Sequence, residues 1–387
     1  MSNVSRESVR DIDLVMGLTY YAPYVSGLTE AARVVAEGLV ARGQRVVVIT
    51  TRHDPSLPSR EVVNGVEVHR TPVLARVGKG VVSPSFPVAV ARAARRSKVL
   101  NLHMPLLEAG AVALLVRDTP MVLTYQCDVS MTATAVDRLQ QTIMDRSSAL
   151  AMRRSVTVVP SSQDYADHSR LGPEMAGKTE PIAPACLDRS GGAPTYRDGP
   201  GMHVGFVGRI VEEKGLEYLV EGFRQLADPA ARLLIAGDHT KVAGGSVVDR
   251  VRKAVGEDDR VRLLGFLPDA ELADLYASLD VFALPSVNSF EAFGIVQVEA
   301  MMTGVPALAS DIPGVRIPVQ ATGFGRVVAP RDPGAVARAL QELQETPPDR
   351  VSGAAATRAV YGAERTIDAY SSLFEHVSQR DQPTPTG

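Results

Sequence analysis

Residues 202–236 read MHVGFVGRIVEEKGLEYLVEGFRQLADPAARLLIA, and this stretch decides the fold. A short apolar run (202–207) reads as a strand. A longer amphipathic run (216–227) reads as a helix, and a second short apolar run (231–236) as another strand. Strand, crossover helix, strand is the unit of a parallel sheet, because parallel neighbours cannot be joined by a tight turn.

The alternation continues in both directions. Towards the C-terminus, helices are expected at 246–255, 269–278, 294–303 and 333–345, and strands at 260–263, 281–284, 306–310 and 324–328. A last helix is expected over 354–377. Before residue 185 the same rhythm gives strands at 11–18, 45–50, 66–70, 99–103, 121–125 and 155–159. Helices at 28–41, 87–96, 106–116 and 133–152 fall between them. Only 186–201, with its prolines and the glycines Gly191, Gly192, Gly199 and Gly201, breaks the pattern. The expected organisation is therefore two doubly wound α/β domains. The first spans 1–188, a linker 189–201, and the second 202–355. A terminal helix over 356–378 is followed by a flexible tail, 379–387. In such sheets ligands bind outside the carboxyl ends of the strands, so the chemistry is expected in loops that follow strands and face a cleft.

Composition narrows the class. A chain of 387 residues is too long for one ordinary core, and 45% hydrophobic with 22% charged residues is the profile of a globular enzyme. A net charge of −3 demands no nucleic acid or anionic membrane. No apolar run reaches the roughly 18 residues that a membrane-spanning helix needs. The first ten residues are polar and lack an apolar signal core, so a cytoplasmic location is expected. Cys127 and Cys186 lack metal-ligand spacing and read as reduced thiols.

Two segments carry candidate chemistry. In 203–215, a strand ends at Gly208, and Arg209 and Lys214 occupy the loop before a helix starting near Gly215. Two cations beside a helix N-terminus suit a diphosphate. The same loop also reads as solvated, with its cations paired to Glu212 and Glu213. In 289–301, Glu291 and Glu299 bracket the start of a helix expected near Gly294. The free amides of Phe293, Gly294 and Ile295 suit phosphate oxygens, and ionised carboxylates accept from sugar and ribose hydroxyls. Alternatively Glu291 complements the helix dipole and Glu299 lies on a surface.

Taken together, Gly208-Arg209, Lys214-Gly215, Leu234-Ile235-Ala236-Gly237, Leu264-Gly265-Phe266, Leu284-Pro285-Ser286, the Glu291/Glu299 pair and Gly304-Val305-Pro306 resemble the donor domain of a known family. It is the large retaining GT-B glycosyltransferase family that includes sucrose synthase and bacterial lipid mannosyltransferases. The resemblance covers roughly 200–330 strongly, and the N-terminal half matches in layout. It implies a GT-B fold, two Rossmann-like domains facing each other across a cleft. It also implies transfer of a sugar, with retention, from a nucleotide diphosphate sugar to a hydroxyl acceptor. UDP is the preferred nucleotide, with GDP as the other. Arg209 and Lys214 then bind the diphosphate and stabilise it as it leaves. Glu291 holds sugar hydroxyls, Ala292 to Val296 contact sugar and phosphate (through Phe293, Gly294 and Ile295), and Glu299 holds the ribose. The base lies near Phe266. No metal and no other cofactor is implied, since cations and a helix terminus neutralise the diphosphate.

In the N-terminal half the family carries two glycines at the start of the first helix. Here Ser26 replaces the first and Gly27 matches the second, so Gly27 is either a donor contact or part of a serine-capped helix. His103 matches a histidine lining the acceptor pocket, and is otherwise a core residue. Where relatives read Thr-Tyr-His-Ser-Asp, this chain has Thr124-Tyr125-Gln126-Cys127-Asp128. Gln126 keeps a polar contact but is no general base near neutrality. Asp128 matches and is expected to orient the acceptor. The glutamine motivates two rivals: a pseudo-glycosyltransferase that couples substrates differently, and a non-catalytic nucleotide-sugar-binding subunit. Acceptors in play are a small molecule, a glycan or a lipid-linked glycan. The basic group Arg92, Arg95, Arg96 and Lys98 reads as a solvated helix face ahead of a peripheral membrane contact.

Overall fold

The computed structural model describes residues 10–77, 80–129, 134–238 and 246–380. The chain forms two compact units, one of Met1–Ala185 with Thr366–Gly387, the other of Cys186–Arg365.

The first unit contains β1 (Ile12–Gly17), α1 (Gly27–Ala41), β2 (Val46–Arg52), β3 (Arg60–Val63), β4 (Val66–Pro72), β5 (Ala75–Val77), β6 (Gly80–Val82) and α2 (Phe86–Ala94). It continues with β7 (Ser97–Met104), α3 (Ala109–Leu115), β8 (Met121–Tyr125), α4 (Ala135–Arg154), β9 (Thr157–Pro160), α5 (Gln163–His168) and α6 (Gly172–Met175). Its main sheet runs β3-β4-β2-β1-β7-β8-β9. All neighbours are parallel except β3 and β4, which form a hairpin. The hairpin turns through Asn64-Gly65, both at positive φ, as a two-residue loop between right-twisted strands requires. The central strands are apolar and buried on both faces, as strands sandwiched between helices must be.

The second unit contains β10 (His203–Val207), α7 (Leu216–Phe223), β11 (Arg232–Ala236), α8 (Val248–Val255), β12 (Val261–Gly265), α9 (Leu272–Ala277) and β13 (Val281–Leu284). After these come α10 (Ile295–Met302), β14 (Ala307–Ser310), α11 (Ile317–Thr322), β15 (Gly325–Val328), α12 (Pro333–Glu345) and α13 (Arg350–Tyr361). The sheet is wholly parallel, β12-β11-β10-β13-β14-β15, around a core of residues such as Phe206, Phe223, Phe282 and Leu308. Strand order reverses on either side of β10. The loops after β10 and β13 therefore diverge at neighbouring strand ends, the place where doubly wound sheets bind ligands. In the first unit β1 and β7 meet in the same way.

The structure corrects three expectations. Residues 189–201 are no loose linker, because they fold onto the second unit. The Ala193 amide donates to Asp274 at 2.8 Å, and the Tyr196 amide to Ser278 Oγ at 3.0 Å. The expected single terminal helix is two, α13 and α14 (Ala363–Arg380), separated at Gly362, where ψ of 143° leaves the helical range. Of the expected tail, residues 379 and 380 are helical, and 381–387 lie outside the described residues.

From Thr366 onward α14 belongs to the first unit. Ile367 fills the space left by Gly38, where an added Cβ would come within 2.4 Å of its side chain. Tyr370 OH meets Thr124 Oγ1 at 3.1 Å, and Gln44 Nε2 donates to Ser371 Oγ at 3.0 Å.

Candidate functional site

In the second unit, β10 ends at Val207, and the amide of the next residue, Gly208, donates to Ala236 O at 3.0 Å. The chain then turns through Arg209, the buried pair Ile210 and Val211, and a short 3₁₀ turn over Glu212–Lys214. Gly215 ends this loop at φ 59°. A Cβ there would lie 2.4 Å from Pro285 O, so both the left-handed conformation and the close approach demand glycine. The Val287 amide donates to Glu213 O at 2.9 Å. The loop after β10 is thereby fastened to the loop after β13.

That second loop passes Glu291 and turns into α10 at Gly294, in the left-handed conformation at φ 81°. Phe293 is buried edge-on against the Tyr361 ring, 5.5 Å between centroids. Gln297 staples the corner, its Nε2 donating to Phe293 O at 2.6 Å and Val315 O at 2.9 Å. No side chain caps α10, so nothing of that kind competes for its first-turn amides.

Lys214 Nζ donates to Glu291 Oε2 across the two loops, with the side chains only 14% and 15% exposed. Arg209 is looser, 44% exposed, and reaches Glu213 at 3.3 Å. Glu212 faces Arg250 at 3.6 Å. The solvated-loop alternative thus describes Arg209, while Lys214 is committed to a carboxylate on the other loop. Ala292, Phe293, Gly294, Ile295 and Val296 all lie at the corner that carries Glu291. Phe266, just past β12, is 72% exposed, an open apolar surface.

Glu299 is not on a surface. It is buried, and its Oε2 accepts from Arg189 Nε at 3.0 Å and Tyr276 OH at 3.2 Å. Burial pushes its carboxyl above the usual range, against the pull of Arg189. Arg189 in turn donates to Asp269 Oδ1 at 2.6 Å. The sequence reading missed Arg189 because it fell in the expected linker. Its one signal was an arginine among glycines and prolines, which names no partner.

In the first unit Ser26 caps α1, its hydroxyl accepting from the Thr29 amide at 3.2 Å, so Gly27 opens an ordinary serine-capped helix. His103 and Gln126 do come together. Gln126 Nε2 donates to His103 Nδ1 at 3.2 Å, which leaves the ring proton on Nε2. That Nε2 has no hydrogen-bond partner among the described residues, and the residue is 3% exposed. Burial pushes the His103 pKa down to about 3.

The ordinary histidine value is about 6.5, so the folded value is depressed. The linked stability is present above pH 6.5 and is lost as pH falls towards 3. Urea unfolding midpoints at pH 7 and pH 4.5 are therefore expected to fall less for His103→Gln than for the unsubstituted protein. Equal falls would mean that His103 is not buried neutral.

Asp128 requires a correction. Its carboxylate is 1% exposed and accepts from Tyr125 OH, from Ser169 Oγ at 2.8 Å and from the Arg170 amide at 3.3 Å. It braces the loop after β8 from within the fold. Within the basic group Arg96 pairs with Asp11 and Lys98 with Asp13, while all four cations stay exposed. No helix is long and apolar enough to cross a membrane among the described residues.

Comparison with known proteins bears on both units. Residues 198–360 match the model of the glycosyl transferases group 1, and residues 26–184 that of the glycosyl transferase 4-like domain. A 2-deoxystreptamine glucosyltransferase of Streptomyces kanamyceticus is 28% identical over 257 residues, 62% of this chain and 65% of that protein. A D-inositol 3-phosphate glycosyltransferase of Corynebacterium efficiens is 28% identical over 266 residues, 63% and 62% of the two chains. The chain thus spans less than two thirds of the length of these curated relatives. Among solved structures, sucrose-phosphate synthase from Thermosynechococcus elongatus superposes with a TM-score of 0.75 at 20% identity, over 95% of this chain and 100% of that one. Anabaena HepE in complex with UDP-glucose does so with 0.69 at 18%, over 94% and 100%. The fold is the two-domain α/β fold of these GT-B proteins.

Proposed function

We propose that the protein, whose residues 198–360 match the glycosyl transferases of group 1 and residues 26–184 the glycosyl transferase 4-like domain, is a retaining, metal-independent glycosyltransferase. It moves a sugar from a nucleotide diphosphate sugar, UDP-linked in preference to GDP-linked, to a hydroxyl acceptor. The observation that carries this reading is the Lys214–Glu291 pair at the uncapped N-terminus of α10. A cation for phosphate, a carboxylate for sugar hydroxyls and amides that no side chain caps stand at one strand-end switch point. HepE, of the same fold, was crystallised with UDP-glucose, which supports the choice of nucleotide.

The second unit holds the donor. Lys214, Arg209 and the first turn of α10 take the diphosphate oxygens, and Glu291 accepts from sugar hydroxyls. Glu299, buried against Arg189, takes the ribose on its remaining oxygen. The first unit holds the acceptor near His103 and Gln126. The bond from the anomeric carbon to the phosphate oxygen breaks, and the acceptor oxygen bonds to that carbon on the same face. The acceptor proton passes to the leaving phosphate, so no side-chain base is needed. That suits a neutral His103 and an amide at 126. Lys214 and Arg209 stabilise the charge that develops on the diphosphate.

A melting-temperature panel against UDP, GDP, ADP and TDP with their common sugars tests this. One nucleotide family is expected to stabilise the protein, by about 2.7 kcal/mol at a hundredfold excess over its dissociation constant. Release of nucleoside diphosphate in the presence of a chelator is then expected with the stabilising donor. No stabilisation by any donor would sink the reading. Stabilisation without release would favour the non-catalytic binding subunit that Gln126 suggests.

A further inference from the structure

The two donors to the buried Glu299 carboxylate converge on one of its oxygens. Arg189 Nε at 3.0 Å and Tyr276 OH at 3.2 Å both reach Oε2, and Oε1 accepts from none of the described residues. An arginine that only neutralises a carboxylate commonly engages both oxygens with its planar fork. Here the fork is split. Nη2 donates to Asp269 Oδ1 at 2.6 Å and Nη1 to Asp269 O at 3.4 Å. One guanidinium thus ties α10, which carries Glu299, to the turn between β12 and α9, which follows Phe266. The backbone of Arg189 is gripped on both sides. Before it, Asp188 Oδ2 accepts from Arg358 Nε of α13 at 2.7 Å. After it, the Ala193 amide donates to Asp274 of α9 at 2.8 Å, and a Cβ at Gly192 would lie 2.2 Å from the Ala273 carbonyl carbon.

The pairing decides what Glu299 can do. Its side chain is 6% exposed and that of Arg189 12%. Burial drives the carboxyl towards the neutral acid, and the guanidinium opposes it. An ionised Oε1 accepts from two hydroxyls at once, whereas a protonated carboxyl turns one oxygen into a donor and weakens the other as an acceptor. We propose that Arg189 is a positioning residue that makes the donor site select ribonucleotides over deoxyribonucleotides, by clamping Glu299 through Oε2 so that Oε1 accepts from the ribose diol. The clamp rests on the reading of the second unit as a nucleotide-sugar site. It acts through Glu299 and touches no substrate. Because its other end grips Asp269, it also fixes the ribose carboxylate relative to the turn that follows Phe266.

Calorimetric titration of the full chain with UDP, GDP and ADP, and with the dideoxy form of each that lacks both ribose hydroxyls, tests the clamp. The unsubstituted protein is expected to bind its preferred diphosphate about a hundredfold more tightly than the dideoxy form, the worth of two hydroxyls bonded to a buried charge. Arg189→Ala is expected to shrink that ratio to about threefold by weakening the ribonucleotide alone, with the dideoxy affinity unchanged. Arg189→Lys keeps the charge without the fork that reaches Asp269, and is expected to fall between the two. Should Arg189→Ala fail to fold, Asp269→Ala takes its place, since the Asp269 side chain is 74% exposed. Releasing the outer end of the guanidinium in this way is expected to lower the ratio about threefold. In release of nucleoside diphosphate, Arg189→Ala is expected to raise the donor KM about thirtyfold and leave kcat at saturating donor within about twofold. A structural ion pair would lower the melting temperature and leave the ratio unchanged. An unchanged ratio in a folded Arg189→Ala or in Asp269→Ala therefore overturns the proposal. Equal binding of ribose and dideoxy forms by the unsubstituted protein overturns it while the donor reading stands. Binding of none of the diphosphates removes the donor reading and the clamp with it.

Discussion

Lys214→Ala is expected to lower kcat/KM for sugar transfer by about 10³, the scale at which removing one preorganised charge from a leaving phosphate slows catalysis. The effect is large because the lysine acts where charge develops. As the anomeric bond breaks, negative charge grows on the diphosphate. Lys214 is the cation held most firmly at that corner, its ammonium tied to Glu291 and its backbone fixed by the glycine turn at 215. Alanine removes the positive charge and also frees the Glu291 carboxylate to repel the phosphate. The two losses are coupled. Lys214→Ala with Glu291→Gln is therefore expected to cost less than the sum of the single substitutions in a double-mutant cycle. Arg209→Ala is expected to cost less than Lys214→Ala, since Arg209 is 44% exposed and bound only to its own loop. The variants are compared in donor-dependent release of nucleoside diphosphate, with melting temperature as the control for folding. A Lys214→Ala enzyme within threefold of the unsubstituted one would remove the diphosphate from this corner.

Much of this corner is legible in the sequence because its parts are local. Gly208, Arg209, Lys214 and Gly215 lie within one strand-to-helix turn. Glu291 and Gly294 lie within another, and the strand-helix rhythm places both turns at carboxyl ends. What the rhythm does not give is strand order. That β10 and β13 are neighbours, and hence that Lys214 meets Glu291 across 77 positions, follows from the β12-β11-β10-β13 order and from no local pattern. The partners of Glu299 were hidden for the same reason. Arg189 lies 110 positions away, in a stretch whose glycines and prolines imitate a tether. Gly191 and Gly201 do punctuate the chain, but the backbone between them is pinned by Asp274 and Ser278 of the second unit. The β3–β4 hairpin was readable and missed. Asn64-Gly65 is a strong two-residue turn signal, and β3, at the sheet edge, is too short and polar to show an apolar period. The break at Gly362 was equally visible as a glycine inside a long helical run, where a single glycine is tolerated more often than not.

His103 and Asp128 show where motif matching and physical environment part. Each matches a family position at a strand end, and each is almost fully buried. Burial leaves His103 with one unpartnered donor, and so a use for a ligand, whereas it surrounds Asp128 with three donors of its own fold. Asp128→Ala is accordingly expected to destabilise the first unit by about 3 kcal/mol, since it leaves the Tyr125 hydroxyl, the Ser169 hydroxyl and the Arg170 amide buried without their shared acceptor. For a unit of this size that corresponds to a fall in melting temperature of roughly 10 °C. Asp128→Asn keeps one carbonyl oxygen and so part of the network, and is expected to fall between the two. The contrast with an acceptor-binding role is direct. A residue that orients the acceptor changes the acceptor KM and leaves the unliganded melting temperature alone. The network residue lowers the melting temperature with or without ligand. Melting of the unliganded variants, followed by acceptor titration of whichever remains folded, decides between them. An unshifted melting temperature with a raised acceptor KM would return Asp128 to the acceptor. A lowered one would leave acceptor recognition in this unit to His103 and Gln126.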